Sequence, residues 1–178
     1  MKCAGFTLLE TMAVIVLFAI CVTAAVPTFA AWRMRDQVDA RANALLGTFS
    51  YARSEAIRRK TRITVCRIDA ARRCLATGKA CPSGPADWSC GWAVVAEQAG
   101  ANVLLRAQPV LDEIAIASTL TALTFTPPAG QTIGSLRNFD IAPRVTTAST
   151  RSAAWRRCLR VAAGGRARVS EGACGAAS

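Results

Sequence analysis

A chain of 178 residues has room for one domain with a true core and an additional segment, and is short for two ordinary domains. The 22 Lys+Arg outnumber the 11 Asp+Glu to give +11, and 19 of those cations are Arg, the better residue for forked contacts to carboxylates and phosphates; such a surplus informs about partners rather than fold. There is no His, which excludes Ser-His and Cys-His catalysis and removes the commonest metal ligand.

Residues 1–5 form a short leader whose one charge is Lys2, and from Thr11 to Val26 no charged residue occurs. Residues 6–31 therefore read as a transmembrane helix, because about 20 apolar residues cross a bilayer core of about 30 Å. Glu10 is the exception. A carboxylate at the centre of such a helix costs about 3 kcal/mol, less near its end, so it calls for a partner. Lys2 is the only nearby cation, and a cut after Gly5 would free an amine on Phe6, on this chain or on a neighbour. A secretory signal fits less well, since its charges precede the apolar run; Ala24-Ala25 or Ala30-Ala31 would then be the cleavage site. Arg33, Arg35 and Arg41 follow the span, and counting positive charges alone would keep the remainder in the cytoplasm, although long domains cross regardless of charge.

Residues 32–60 continue the helix. Val38, Ala42, Leu45, Leu46, Phe49, Ala52 and Ala56 recur at intervals of three or four, with Arg41, Arg53 and Arg58 off that face. Pro27, further back, removes one backbone donor and favours a kink. Short strands are then expected over 62–68, 91–97, 102–107, 113–117, 122–126, 137–142, 156–162 and 166–170. Gly100 and Gly164-Gly165 stand at hairpin turns, and Pro127-Pro128-Ala129-Gly130 breaks the run. The stretch 69–89 is long for a loop without structure, which points to function or an extra tether. The fold class is α+β, with a long N-terminal helix, half transmembrane and half amphipathic, packed on antiparallel sheet, and a β-rich domain over 61–178.

Beyond Cys3 and Cys21 six cysteines remain: Cys66, Cys74, Cys81, Cys90, Cys158 and Cys174. Their even number suggests disulfides in an exported domain, with all fifteen connectivities open. The gaps do not have the close pairing of a zinc site, so no metal is expected.

The run Gly5-Phe6-Thr7-Leu8-Leu9-Glu10 followed by an apolar helix with Pro27 resembles the type IV pilins and type II secretion pseudopilins. The resemblance implies cleavage after Gly5 by a prepilin peptidase and methylation of Phe6. It also implies pairing of Glu10 with the terminal amine of an adjacent subunit in a filament, no cofactor, and an inner-membrane protein with its domain in the periplasm. Tyr51-Ala52-Arg53-Ser54-Glu55-Ala56-Ile57-Arg58-Arg59, then Ile63-Thr64-Val65-Cys66, Trp88, Gly91-Trp92 and Leu123-Thr124-Phe125 resemble the GspH/FimT branch. That branch holds both type IV minor pilins and type II minor pseudopilins.

From Arg137 to the end there are eight Arg against Asp140 and Glu171, so eight minus two gives +6. Arg166 and Arg168, two apart on a strand, share a face. Two such guanidinium groups suit a phosphate backbone, which is contacted without reading bases. In FimT-type minor pilins a C-terminal Gly-Arg-x-Arg motif is linked to DNA binding in natural transformation, and Gly165-Arg166-Ala167-Arg168 matches it. Arg156, Arg157 and Arg160 would widen the patch. The bland alternative is a solvated strand or contacts to acidic neighbours in the filament. Trp88, Trp92 and Trp155 read as core before they read as stacking surfaces for bases. Asp112-Glu113 make a poor acid-base pair, and an enzyme is not expected.

Overall fold

In this computed structural model the residues described are 8–76, 79–82, 84–98, 100–110, 112–133, 137–146, 150 and 152–175; the side chains of 24, 25, 27 and 28 are outside that description. The expected cleavage and methylation residues, Gly5 and Phe6, lie outside the described residues. The chain forms two compact units, residues 1–36 and 37–178. One helix, α1 (Leu8–Arg59), belongs to both and continues through Pro27.

In the first unit the described side chains of α1 from Thr11 to Thr23 carry no charge. Leu9, Val14, Ile15, Leu17, Phe18 and Phe29 are all exposed, the composition of a helix meant for an apolar surrounding. Among the described residues no helix is long and apolar enough to cross a membrane. The anchor reading therefore rests on the sequence, whose uncharged run includes positions with undescribed side chains.

The second unit is helix on sheet. Val38, Ala42, Leu45, Phe49, Ala52 and Ala56 are fully or nearly fully buried, the stripe expected from their spacing. Basic residues Arg58 and Arg59 occupy the last turn, where they suit the helix dipole, and Lys60 at φ 56° ends the helix. The strands are β1 (Ile63–Arg67), β2 (Trp92–Gln98), β3 (Ala101–Gln108), β4 (Ile114–Ala117), β5 (Ala122–Thr126), β6 (Gln131–Thr132), β7 (Asn138–Pro143), β8 (Arg157–Val161) and β9 (Ala167–Glu171). A 3-10 turn, Ala153–Trp155, precedes β8. They form two antiparallel sheets, β3-β2-β1-β5-β6 and β4-β7-β8-β9. Helix packing on antiparallel sheet is thus as expected, and the division into two sheets is new. Phe49 of α1 joins them, with its ring 6.2 Å from Phe125 on β5 and 5.0 Å from Phe139 on β7. The edge of Trp88 meets Phe139 at 5.0 Å.

One arginine departs from its expected place. Arg41, expected off the apolar face of the helix, is buried, with its guanidinium 4.8 Å from the centre of the Trp92 ring and an Nη2 bond of 2.9 Å to the carbonyl of Pro109. The aromatic face and the carbonyl compensate the lost water, while burial lowers its pKa.

The long connection between β1 and β2 has a centre. Disulfides Cys66–Cys74 and Cys81–Cys90 staple it. Arg67, 1% exposed, donates to the carbonyls of Lys79 at 2.9 Å and Pro85 at 2.6 Å. Asp87 accepts from the backbone N–H groups of Ser89 and Ile116 and from Arg144 Nη2 at 2.9 Å.

Near the end of α1, hydrogen bonds from Arg58 and Arg59 hold the Glu55 carboxylate at a pKa of about 2, below its ordinary 4.5. A carboxyl lowered on folding adds stability that is complete above its unfolded value and is lost as pH falls toward the folded one. Glu55→Gln should therefore lower Tm by on the order of 4 °C at pH 7, and the gap should close between pH 4.5 and 2. Thermal melts across that range check it; a gap constant with pH overturns it.

Candidate nucleic-acid interface

β8 and β9 form a hairpin through residues 162–166, and its geometry is set by the small residues at 162–165. Gly165 has φ +77°, its N–H donates to the carbonyl of Ala162 at 2.8 Å, and Ala162 N–H donates to the carbonyl of Arg166 at 2.9 Å. The tip is fixed to the first sheet. Thr132 N–H donates to the carbonyl of Ala163 at 3.0 Å and the Thr132 hydroxyl to that of Ala162 at 3.2 Å. Arg137 crosses the same seam, with Nε donating to Val161 O at 3.0 Å and Nη1 to Thr132 O at 3.3 Å.

The five arginines expected to form a patch separate into two groups. Arg157 is buried, and its guanidinium donates through Nη2 to Asp39 of α1 at 3.0 Å; it holds β8 to the helix. Arg156 pairs with Asp140 of β7 at 2.9 Å. Both charges are compensated within the fold. Arg160, Arg166 and Arg168 are exposed, and among the described residues none of the three has an ion pair or a side-chain hydrogen bond.

Strand register brings these three together. Asn138, Arg160 and Arg168 lie directly opposite one another across β7, β8 and β9, and Arg166 lies two residues before Arg168, at the turn. Side chains directly opposite in a hydrogen-bonded pair stand on backbones about 5.5 Å apart. Like charges so placed destabilise a sheet by a few tenths to about 1 kcal/mol. Arg137, Asn138, Arg160, Val161, Arg166 and Arg168 are among the residues around an open hollow of about 600 Å³, and among the described residues no carboxylate stands in its wall. The far end of the same sheet is closed by the Cys158–Cys174 disulfide and by Cys174 N–H, which donates to Asp140. The disulfide thus clamps the hairpin, one of the pairings the sequence left open.

The remaining candidates fall elsewhere. Trp88 and Trp92 are wholly buried, their Nε1 groups donating to Leu120 O at 2.7 Å and to the Thr48 hydroxyl at 3.1 Å, so neither is a stacking surface. Trp155 is half-buried in the 3-10 turn before β8. Asp112 and Glu113 sit in the turn before β4 and not within it. Among the described residues no group of acids, Cys and His could hold a metal ion. Two contributors escape sequence reasoning: Asn138, which only register places beside Arg160, and Arg137, whose one signal is its position at the head of an Arg-rich segment.

Two protein families match the chain. Type II transport protein GspH matches residues 41–165, and the prokaryotic N-terminal methylation motif matches residues 1–26. No curated protein matches. Two crystal structures of the type IV minor pilin FimU of Pseudomonas aeruginosa (strain PAO1) share the fold. The P65 form has 18% identity and a TM-score of 0.51, over 74% of this chain and 91% of the other. The P21 form has 18% identity and a TM-score of 0.53, over 76% and 90%.

Proposed function

The chain belongs to the GspH family, and we propose that it is a minor subunit of a type IV pilus that also binds DNA. The methylation motif over residues 1–26 supports processing. A prepilin peptidase cuts after Gly5, Phe6 is methylated, and the apolar half of α1 anchors the protein in the inner membrane with the second unit in the periplasm. Glu10 then pairs with the terminal amine of a neighbouring subunit, offsetting the cost of a carboxylate in the bilayer. Intact-mass measurement of the mature protein should find a chain starting at Phe6 and carrying one methyl group; a chain starting at Met1, or after Ala25 or Ala31, overturns this.

The observation that carries the DNA reading is the convergence of Arg160, Arg166 and Arg168 on one exposed face, two of them directly opposed and none balanced by an acid among the described residues. Mutual repulsion is maintained there at a cost to the sheet, and a polyanion relieves it. Guanidinium groups holding phosphates release counterions, so affinity should fall with a log-log slope of about −0.9 per phosphate contacted. Titration of the full-length protein in neutral detergent against a duplex oligonucleotide at several salt concentrations tests this. Absence of binding at low salt refutes it.

The description of the family as a type II transport protein favours a second reading, a structural minor pseudopilin of a secretion machine. Deletion of the protein would then abolish protein secretion and leave DNA uptake intact.

A further inference from the structure

The hollow beside the arginines is more than a charged surface. A duplex exposes phosphates on its convex outside, and binding it by phosphate alone requires only cations on a matching rim. Here the wall also includes Val161, Ala162 and Val169, with the amide of Asn138 at one side, and the volume is about 600 Å³. The hollow is open, and because Val161 is nearly buried, the accessible apolar side chains it offers are Ala162 and Val169. Arg160 and Arg168 line it from adjacent strands.

Apolar wall, guanidinium planes and one amide are what an unstacked base requires. Single-stranded nucleic acid is recognised by stacking splayed bases on aromatic or guanidinium planes and by hydrogen bonds to their edges. Resting on the DNA reading above, we infer that the site takes single-stranded DNA, with one base in the hollow and the flanking phosphates on Arg166 and Arg168. An end or a frayed segment of a duplex would present the same chemistry.

The test uses full-length protein in neutral detergent and three labelled ligands: a single strand of about 12 nucleotides, within the usual site size for such binding, its duplex, and the same strand with abasic sites throughout. The single strand should bind about 10-fold tighter than the duplex at equal salt, a difference typical of one stacked base, and the abasic strand should lose that advantage. Ala162→Leu, at an exposed position, narrows the hollow without changing charge. It should lower single-strand affinity by more than it lowers duplex affinity, closing the gap between the two. Equal affinity for all three ligands overturns the base site and leaves phosphate binding standing; absence of binding to any of them overturns both. The abasic comparison holds whatever the variant does to the fold.

Discussion

Replacing Arg166 and Arg168 together by Ala should weaken DNA binding by about 100-fold at low salt, roughly one factor of ten for each phosphate no longer held. The salt dependence should become shallower by nearly two units of slope, because two counterions fewer are released. All sequences should be affected alike, since phosphate contacts carry no base information. The fold should not suffer. Arg160 would then face an uncharged residue where it now faces Arg168, so the melting temperature should hold or rise slightly. Arg168→Glu sharpens the contrast, placing a carboxylate opposite Arg160 and adding stability while repelling the ligand. Arg157→Ala should do the reverse, because it leaves Asp39 without its buried partner: stability falls, and DNA affinity follows only as far as the fold is lost. Binding isotherms and thermal melts on the parent and these three variants separate the outcomes. A double variant that binds as tightly as the parent removes the arginines from the interface.

The second large effect is expected at Gly165, the first residue of the Gly-Arg-x-Arg run. A Cβ there would lie 1.9 Å from the carbonyl oxygen of Gly130 and 3.2 Å from Cδ of Arg53, and the backbone is at φ +77°. A left-handed conformation costs an L residue roughly 1–2 kcal/mol, and overpacking adds about 1–3 kcal/mol. Gly165→Ala should therefore lose about 3 kcal/mol or more, a fall in Tm of roughly 10 °C. Gly164 is the control. Nothing lies within 4 Å of a Cβ at that position, so Gly164→Ala should be close to neutral. The glycine of the run thus has a structural duty: it lets the hairpin tip seat against the turn around Gly130 and fixes the backbone from which Arg166 and Arg168 project. If both variants melt alike, the close approach at Gly165 does not matter to stability.

Gly164-Gly165 reads as a hairpin turn in the sequence, yet which glycine tolerates a side chain depends on Gly130, which lies far off along the chain beside the first sheet. The amphipathic stripe from Val38 to Ala56 is legible because helix period alone places it, and the strands after it are legible because they are short, alternating and bounded by turn residues. The two-residue β6 is not, being too short to show a period. Arg41 breaks the helical pattern because an aromatic ring and a carbonyl from distant segments accept a guanidinium that pattern reasoning sends to water. The stretch 69–89 reads as loop, and its order comes from two disulfides and the buried Arg67.

The sequence by itself determined the helix, most of the strands, the N-terminal methylation motif and the positive excess, because each follows from neighbours along the chain. Only the tertiary structure decided which arginines are free to meet a ligand. Arg157 is compensated by Asp39, 118 residues earlier, and Arg156 by Asp140, 16 residues earlier, while Arg160 and Arg168 face each other through strand register. Charge compensation depends on distance in space, and a linear sequence carries no record of that distance until the helix and two sheets have packed.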